Sequence, residues 1–103
     1  MIANTPKPPY YAVIFTSVLN SDDDGYSEMG EQMERMVSSQ PGFLGFESAR
    51  SEIGITVSYW ESIAAIKEWK YNSEHSIARE KGKNLWYKSF KVRVAKVERD
   101  YEM

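Results

Sequence analysis

Ten consecutive residues, Tyr10 to Leu19, are almost all aromatic, β-branched or otherwise apolar. Such a run reads as a β-strand, and a strand sends alternate side chains to opposite faces. Tyr11, Val13 and Phe15 fall on one face; Ala12, Ile14 and Val18 fall on the other. Both faces therefore need shelter. Helices packed on one side of a sheet cover only one of them. The chain has 103 residues, enough for one small domain and one modest core. The simplest cover for the second face is another copy of the chain, so a homodimer packed sheet against sheet is expected.

The rest of the sequence supplies the helices. Residues 1–9 form a proline-rich lead-in, expected to be extended and mobile, ahead of a single domain over 10–103. From Asp24 to Ser39 the apolar residues Tyr26, Met29, Met33, Met36 and Val37 recur at helical spacing, with Asp22 to Asp24 able to cap the start. Gln40-Pro41-Gly42 stops this helix. Phe43 to Ser51 and Ile55 to Trp60 alternate as strands, joined by the short connector Glu52-Ile53-Gly54. Ser62 is a candidate N-cap for a helix carrying Ile63, Ile66 and Trp69. An interruption is expected at Asn72-Ser73, a recapped stretch from there through Arg79, and a stop at Gly82. Trp86 to Tyr101 reads as a last long strand; Val97 breaks the parity of Phe90, Val92 and Val94, which suggests a bulge near Ala95–Lys96. The order is strand, helix, strand, strand, helix, strand. This predicts an α+β fold: a ferredoxin-like split βαβ with an antiparallel sheet and both helices on one face.

Composition closes several routes to function. There is no cysteine, hence no disulfide, thiolate nucleophile or Cys-ligated metal. No apolar run approaches the ~20 residues that span a bilayer, and the opening residues lack the apolar core of a secretory signal, so a cytoplasmic protein without membrane contact is expected. The net charge is −2, yet Lys67 to Asp100 holds ten basic residues against five acidic ones. That excess falls short of a nucleic-acid footprint; it marks either a solvated face or a mouth that draws in an anion. No P-loop, dinucleotide-binding glycine loop or nucleophile elbow occurs. With His75 as the only histidine, no metal site is expected.

What remains is Tyr59-Trp60-Glu61 followed by Trp69-Lys70-Tyr71-Asn72-Ser73-Glu74-His75. One reading makes Trp69 a core residue and His75 an exposed or capping one. The other is a pocket between the sheet and the second helix, with Phe15, Tyr59 and Tyr71 as aromatic walls and His75 at the rim. Flat walls suit a flat, conjugated ligand, and His75 could serve as general base, hydrogen-bond donor or axial haem ligand.

Gln40-Pro41-Gly42-Phe43-Leu44-Gly45-Phe46-Glu47-Ser48, then Val57-Ser58-Tyr59-Trp60, then Trp69 with His75 six residues on, resemble the antibiotic biosynthesis monooxygenase family. The resemblance runs from about Tyr10 to Tyr101. It implies a dimeric α+β barrel with a pocket in each protomer. It also implies cofactor-independent oxygenation of a small aromatic or polycyclic substrate, with His75 and Trp69 as catalytic candidates. Haem binding or degradation, or a non-catalytic ligand-binding module, are the alternatives. In the haem degraders of the family, the histidine lies about three turns beyond the tryptophan. That slot falls near Arg79 here, which is carried as a candidate substrate-binding residue.

Overall fold

The computed structural model describes residues 2–21, 25–79 and 86–103, and of residues 74–79 the backbone alone. Its elements are β1 (Tyr10–Leu19), α1 (Tyr26–Ser38), β2 (Phe43–Arg50), β3 (Gly54–Trp60), α2 (Ile63–Arg79) and β4 (Tyr87–Val97). The strands form one antiparallel sheet in the order β2-β3-β1-β4. This is the expected α+β architecture of ferredoxin type. No helix among the described residues is long and apolar enough to cross a membrane.

The strand registers decide which side chains meet the helices. Tyr11, Val13, Phe15 and Ser17 of β1 lie level with Trp60, Ser58, Thr56 and Gly54 of β3 and with Lys96, Val94, Val92 and Phe90 of β4. On this face Val37 of α1, Ile66 of α2 and Trp60 form a buried cluster, packed by Tyr11, Val13, Phe43, Ala65 and Trp69. Trp60 is completely buried. An indole removes ~150–250 Å² from water, roughly 4–6 kcal/mol as an upper estimate. The other face carries Tyr10, Ala12, Ile14, Thr16 and Val18 beside Tyr59, Val57 and Ile55. Ile55 remains 46% exposed there.

The Pro41-Gly42-Phe43 turn joins the layers. Gly42 has φ +84°, in the left-handed region, and a Cβ there would lie 2.6 Å from Cβ of Ala65 in α2. Glycine thus serves twice, for the turn and for the close approach of the helix. Gly42 O also accepts the N–H of Glu61 at 2.8 Å. One residue on, Ser62 caps α2 as expected, its Oγ accepting the N–H of Ala65 at 3.1 Å.

The structure corrects three expectations, and two more fall outside the described residues. α2 is continuous through Asn72 and Ser73, because the Ser73 hydroxyl donates back to Lys70 O at 3.2 Å instead of recapping. β4 ends at Val97, not Tyr101. Its ladder with β1 is regular from Tyr10↔Val97 to Val18↔Ser89, so no bulge lies at Ala95–Lys96; Val97 differs in parity because it joins Tyr10 on the face away from the helices. The one irregularity of that ladder falls between Val18 and Leu19. The described part of the lead-in lies against the sheet, where Ala3 N–H donates to Glu47 Oε2 at 2.9 Å and Thr5 Oγ to the Tyr10 hydroxyl at 3.0 Å. Asp22 to Asp24 and Gly82 lie outside the described residues; the N-cap of α1 is Gly25, without a side-chain cap.

Candidate functional site

The helix-facing side of the sheet has two unlike halves. Around Trp60 it is packed core. Toward the other end, β3 offers Ser58, Thr56 and Gly54 at alternate positions, beside Val13, Phe15 and Ser17 of β1. Across this end runs a row from four strands: Arg50, Gly54, Ser17 and Phe90. The Arg50 side chain crosses Gly54, where any Cβ would collide with the guanidinium. Its Nη2 donates to Ser17 Oγ and, at 3.5 Å, to the Tyr26 hydroxyl. Nη1 donates to Ser17 O at 3.4 Å, and the guanidinium lies 5.6 Å from the centre of the Tyr26 ring, at cation–π distance. Ser17 is only 2% exposed.

The irregularity near Leu19 completes the corner. It pairs Leu19 with Tyr87 directly after Val18 with Ser89, so Lys88 is skipped and Tyr87 turns to the helix side. There its ring meets Phe15 edge-on at 5.4 Å, Tyr26 at 5.7 Å and Phe90 at 5.7 Å. Phe15 and Phe90 stack at 5.5 Å. Burial pushes the Tyr87 phenol well above its ordinary value, helped by the hydrogen bond to Tyr26; Arg50 opposes the shift. The result is an aromatic corner with a guanidinium, two phenols and a serine hydroxyl. A cavity of about 230 Å³ lies at the same end of the sheet, lined by Thr16, Ser17, Val18, Ile53, Ser89, Phe90 and Lys91; Thr16, Val18, Ser89 and Lys91 belong to the face away from the helices, so it opens on the side opposite the corner.

The residues singled out from sequence are dispersed around this corner. Phe15 is at its centre. Trp69 lies in the packed half, stacked on Trp60 at 6.3 Å. Tyr59 is not a wall of the same pocket. Strand alternation puts it on the face away from the helices, where its hydroxyl donates to Glu47 Oε1 at 2.6 Å. Burial there and the Glu47 carboxylate push the phenol up to about 12. Tyr71 is 72% exposed on α2 and walls nothing among the described residues. His75 and Arg79 are on the last turns of α2, and their side chains lie outside the described residues. Sequence reading passed over Arg50, Tyr26, Ser17 and Tyr87. A glycine level with a strand-end arginine was the available sign for Arg50; nothing local announces the skip at Lys88. Among the described residues no group of three His, Asp or Glu side chains could hold a metal ion.

Comparison with known proteins agrees with this fold. The sequence profile described as "Antibiotic biosynthesis monooxygenase" matches residues 9–81. The uncharacterised protein YqjZ of Bacillus subtilis (strain 168) is 54% identical over 100 residues, covering 95% of this chain and 88% of YqjZ. Among solved structures, PA3566 from Pseudomonas aeruginosa superposes with a TM-score of 0.70 at 13% identity, over 93% of this chain and 99% of that one. A variant of SnoaB, a cofactor-independent oxygenase from Streptomyces nogalater, gives 0.72 at 7% identity, over 88% and 95%. Rv0793 from Mycobacterium tuberculosis gives 0.68 at 15%, over 90% and 97%. With a profile match across most of its length and a relative more than half identical, this chain belongs to the antibiotic biosynthesis monooxygenase family.

Proposed function

We propose that this protein oxygenates a small planar aromatic compound without a bound cofactor, at the corner formed by Phe15, Tyr26, Arg50, Tyr87 and Phe90. The observation that carries the reading is that corner: stacked and edge-on rings with a guanidinium and phenol hydroxyls at their margin. Family membership and the fold shared with SnoaB support it. The substrate supplies the electrons. A ring carbon bearing two hydrogens takes one atom of O₂ as a carbonyl oxygen, and the other atom leaves as water with those hydrogens. The protein's part is to hold the ring, accept a proton and steady the anion left behind. Arg50 is the group for the anion and His75, on the last turns of α2, is the base. Trp69 supports the site through its stack on Trp60. In the same reading a second copy covers the open face of the sheet.

The test is oxygen uptake with a panel of one- and two-ring hydroxyaromatics, with ¹⁸O₂ labelling of the product. Turnover that falls in Phe15→Ala, Arg50→Gln and His75→Ala supports the reading. No uptake across the panel, or turnover indifferent to all three substitutions, overturns it.

A further inference from the structure

Hydrogen-bond donors outnumber acceptors at the corner. Ser17 Oγ accepts from Arg50 Nη2, and the Tyr26 hydroxyl accepts from the same nitrogen at 3.5 Å. The Tyr87 phenol is also bonded to Tyr26 and is held protonated there. Both hydroxyls that face Arg50 thus spend acceptor capacity on it and keep a proton to give. The guanidinium has five N–H groups, and its partners among the described residues, Ser17 and Tyr26, are neutral. It is held across Gly54 in a place no other residue type would leave open. Donors converge here and the described groups bring no negative charge to meet them.

We infer that this end of the sheet, on its helix side, is a receiving site for an aromatic carboxylate: the ring packs against Phe15, Phe90 and Tyr87, and the carboxylate meets Arg50 with the hydroxyls of Ser17 and Tyr26. A planar fork of N–H groups matches a carboxylate better than it matches a neutral oxygen, and better than an ammonium would. The inference rests on the corner being the substrate site, but it concerns binding and not oxygen chemistry.

Binding is therefore measured without turnover, under argon, by tyrosine and tryptophan fluorescence. The probes are 2-naphthoate, its neutral counterpart naphthalene-2-carboxamide, and 2-naphthol. Wild type is expected to prefer the carboxylate over the carboxamide by about tenfold or more, the usual margin of a charge-assisted hydrogen bond. Arg50→Gln is expected to erase that preference, Arg50→Lys to keep part of it, and Arg35→Gln in the last turn of α1 to leave it intact. Circular dichroism checks that each variant is folded; should Arg50→Gln fail to fold, the reduced ratio in Arg50→Lys carries the test. Equal binding of the two probes by wild type, binding of neither, a preference for 2-naphthol, or a ratio unchanged in the Arg50 variants overturns the inference. A carboxylate preference lost with Arg50, together with no oxygen uptake on any substrate, overturns the oxygenase reading and leaves this one standing.

Discussion

Replacing Gly42 by alanine should cost far more than one methyl group suggests. Two penalties meet at this position. The backbone at φ +84° is left-handed, which a residue with a Cβ adopts at a cost of roughly 1–2 kcal/mol. The new Cβ would also stand 2.6 Å from Cβ of Ala65, an atom fixed by the α2 backbone that cannot swing aside. Overpacking of that kind costs typically ~1–3 kcal/mol. The sum, about 2–5 kcal/mol, is a large share of the ~5–15 kcal/mol that holds a domain of this size together. At ~4–8 °C per kcal/mol the midpoint of thermal unfolding should fall by at least about 8 °C. Urea unfolding of wild type, Gly42→Ala, Ala65→Gly and the double variant separates the two terms. Ala65→Gly removes the atom in the way, at about 1 kcal/mol of helix propensity, but leaves the backbone strain. In the Gly42→Ala background it should therefore restore stability or cost much less than it does alone. A loss below about 1 kcal/mol for Gly42→Ala, or strict additivity of the two substitutions, would refute the reasoning.

Four further outcomes are expected. Gly54→Ala should leave the fold nearly as stable, because the group it strikes is the end of an exposed arginine side chain, yet it should abolish carboxylate preference by pushing Arg50 off Ser17; unchanged ligand binding would show that Arg50 does not need the crossing. Tyr59 should titrate near pH 12, about two units above an exposed tyrosine, when followed by ultraviolet absorbance, and Tyr59→Phe should remove that step. Because its folded pKa is raised, its contribution is whole below about pH 10 and is lost as the pH climbs through 12. Glu47 behaves in the opposite sense: the hydrogen bonds from Tyr59 and Ala3 hold it below the usual carboxylate range, so its contribution is present above that range and disappears on acidification, and the Ala3 amide resonance should report the release. Ile14→Asp, on the face without helices, should yield monomer in sedimentation while remaining folded, whereas Val13→Asp should unfold the chain, since Val13 packs on the Trp60 cluster. An intact Ile14→Asp dimer would move the contact elsewhere.

Much of the fold was legible because period and punctuation agree. Residues 10–19 are an unbroken run of strand formers, Met29, Met33 and Val37 keep helical spacing, and Ser62 and Gly42 are where a cap and a stop must be. The errors share a cause: local signals that tertiary context overrides. Asn72 and Ser73 resemble a break, but a serine inside a helix can bond to the preceding turn and let the helix run on. Val97 resembled a bulge because parity was judged against one face alone. For the site, composition drew the eye to Trp69 and the lone histidine, while the corner is built by Arg50, which resembles any solvated strand end, and by Tyr87, which reaches it only because one residue is skipped beside Leu19. Tyr59 could have been set apart from the start, since a neighbour of Trp60 in a strand must point the opposite way.

The hydrogen bond from the Tyr10 phenol to Asp100 joins residues ninety positions apart and fastens the start of β1 to the segment after β4. The polypeptide is thus tied nearly into a ring. A short peptide bridging the lead-in and the tail, with new ends opened at the exposed Ser51–Ile53 connector, would preserve every strand pairing.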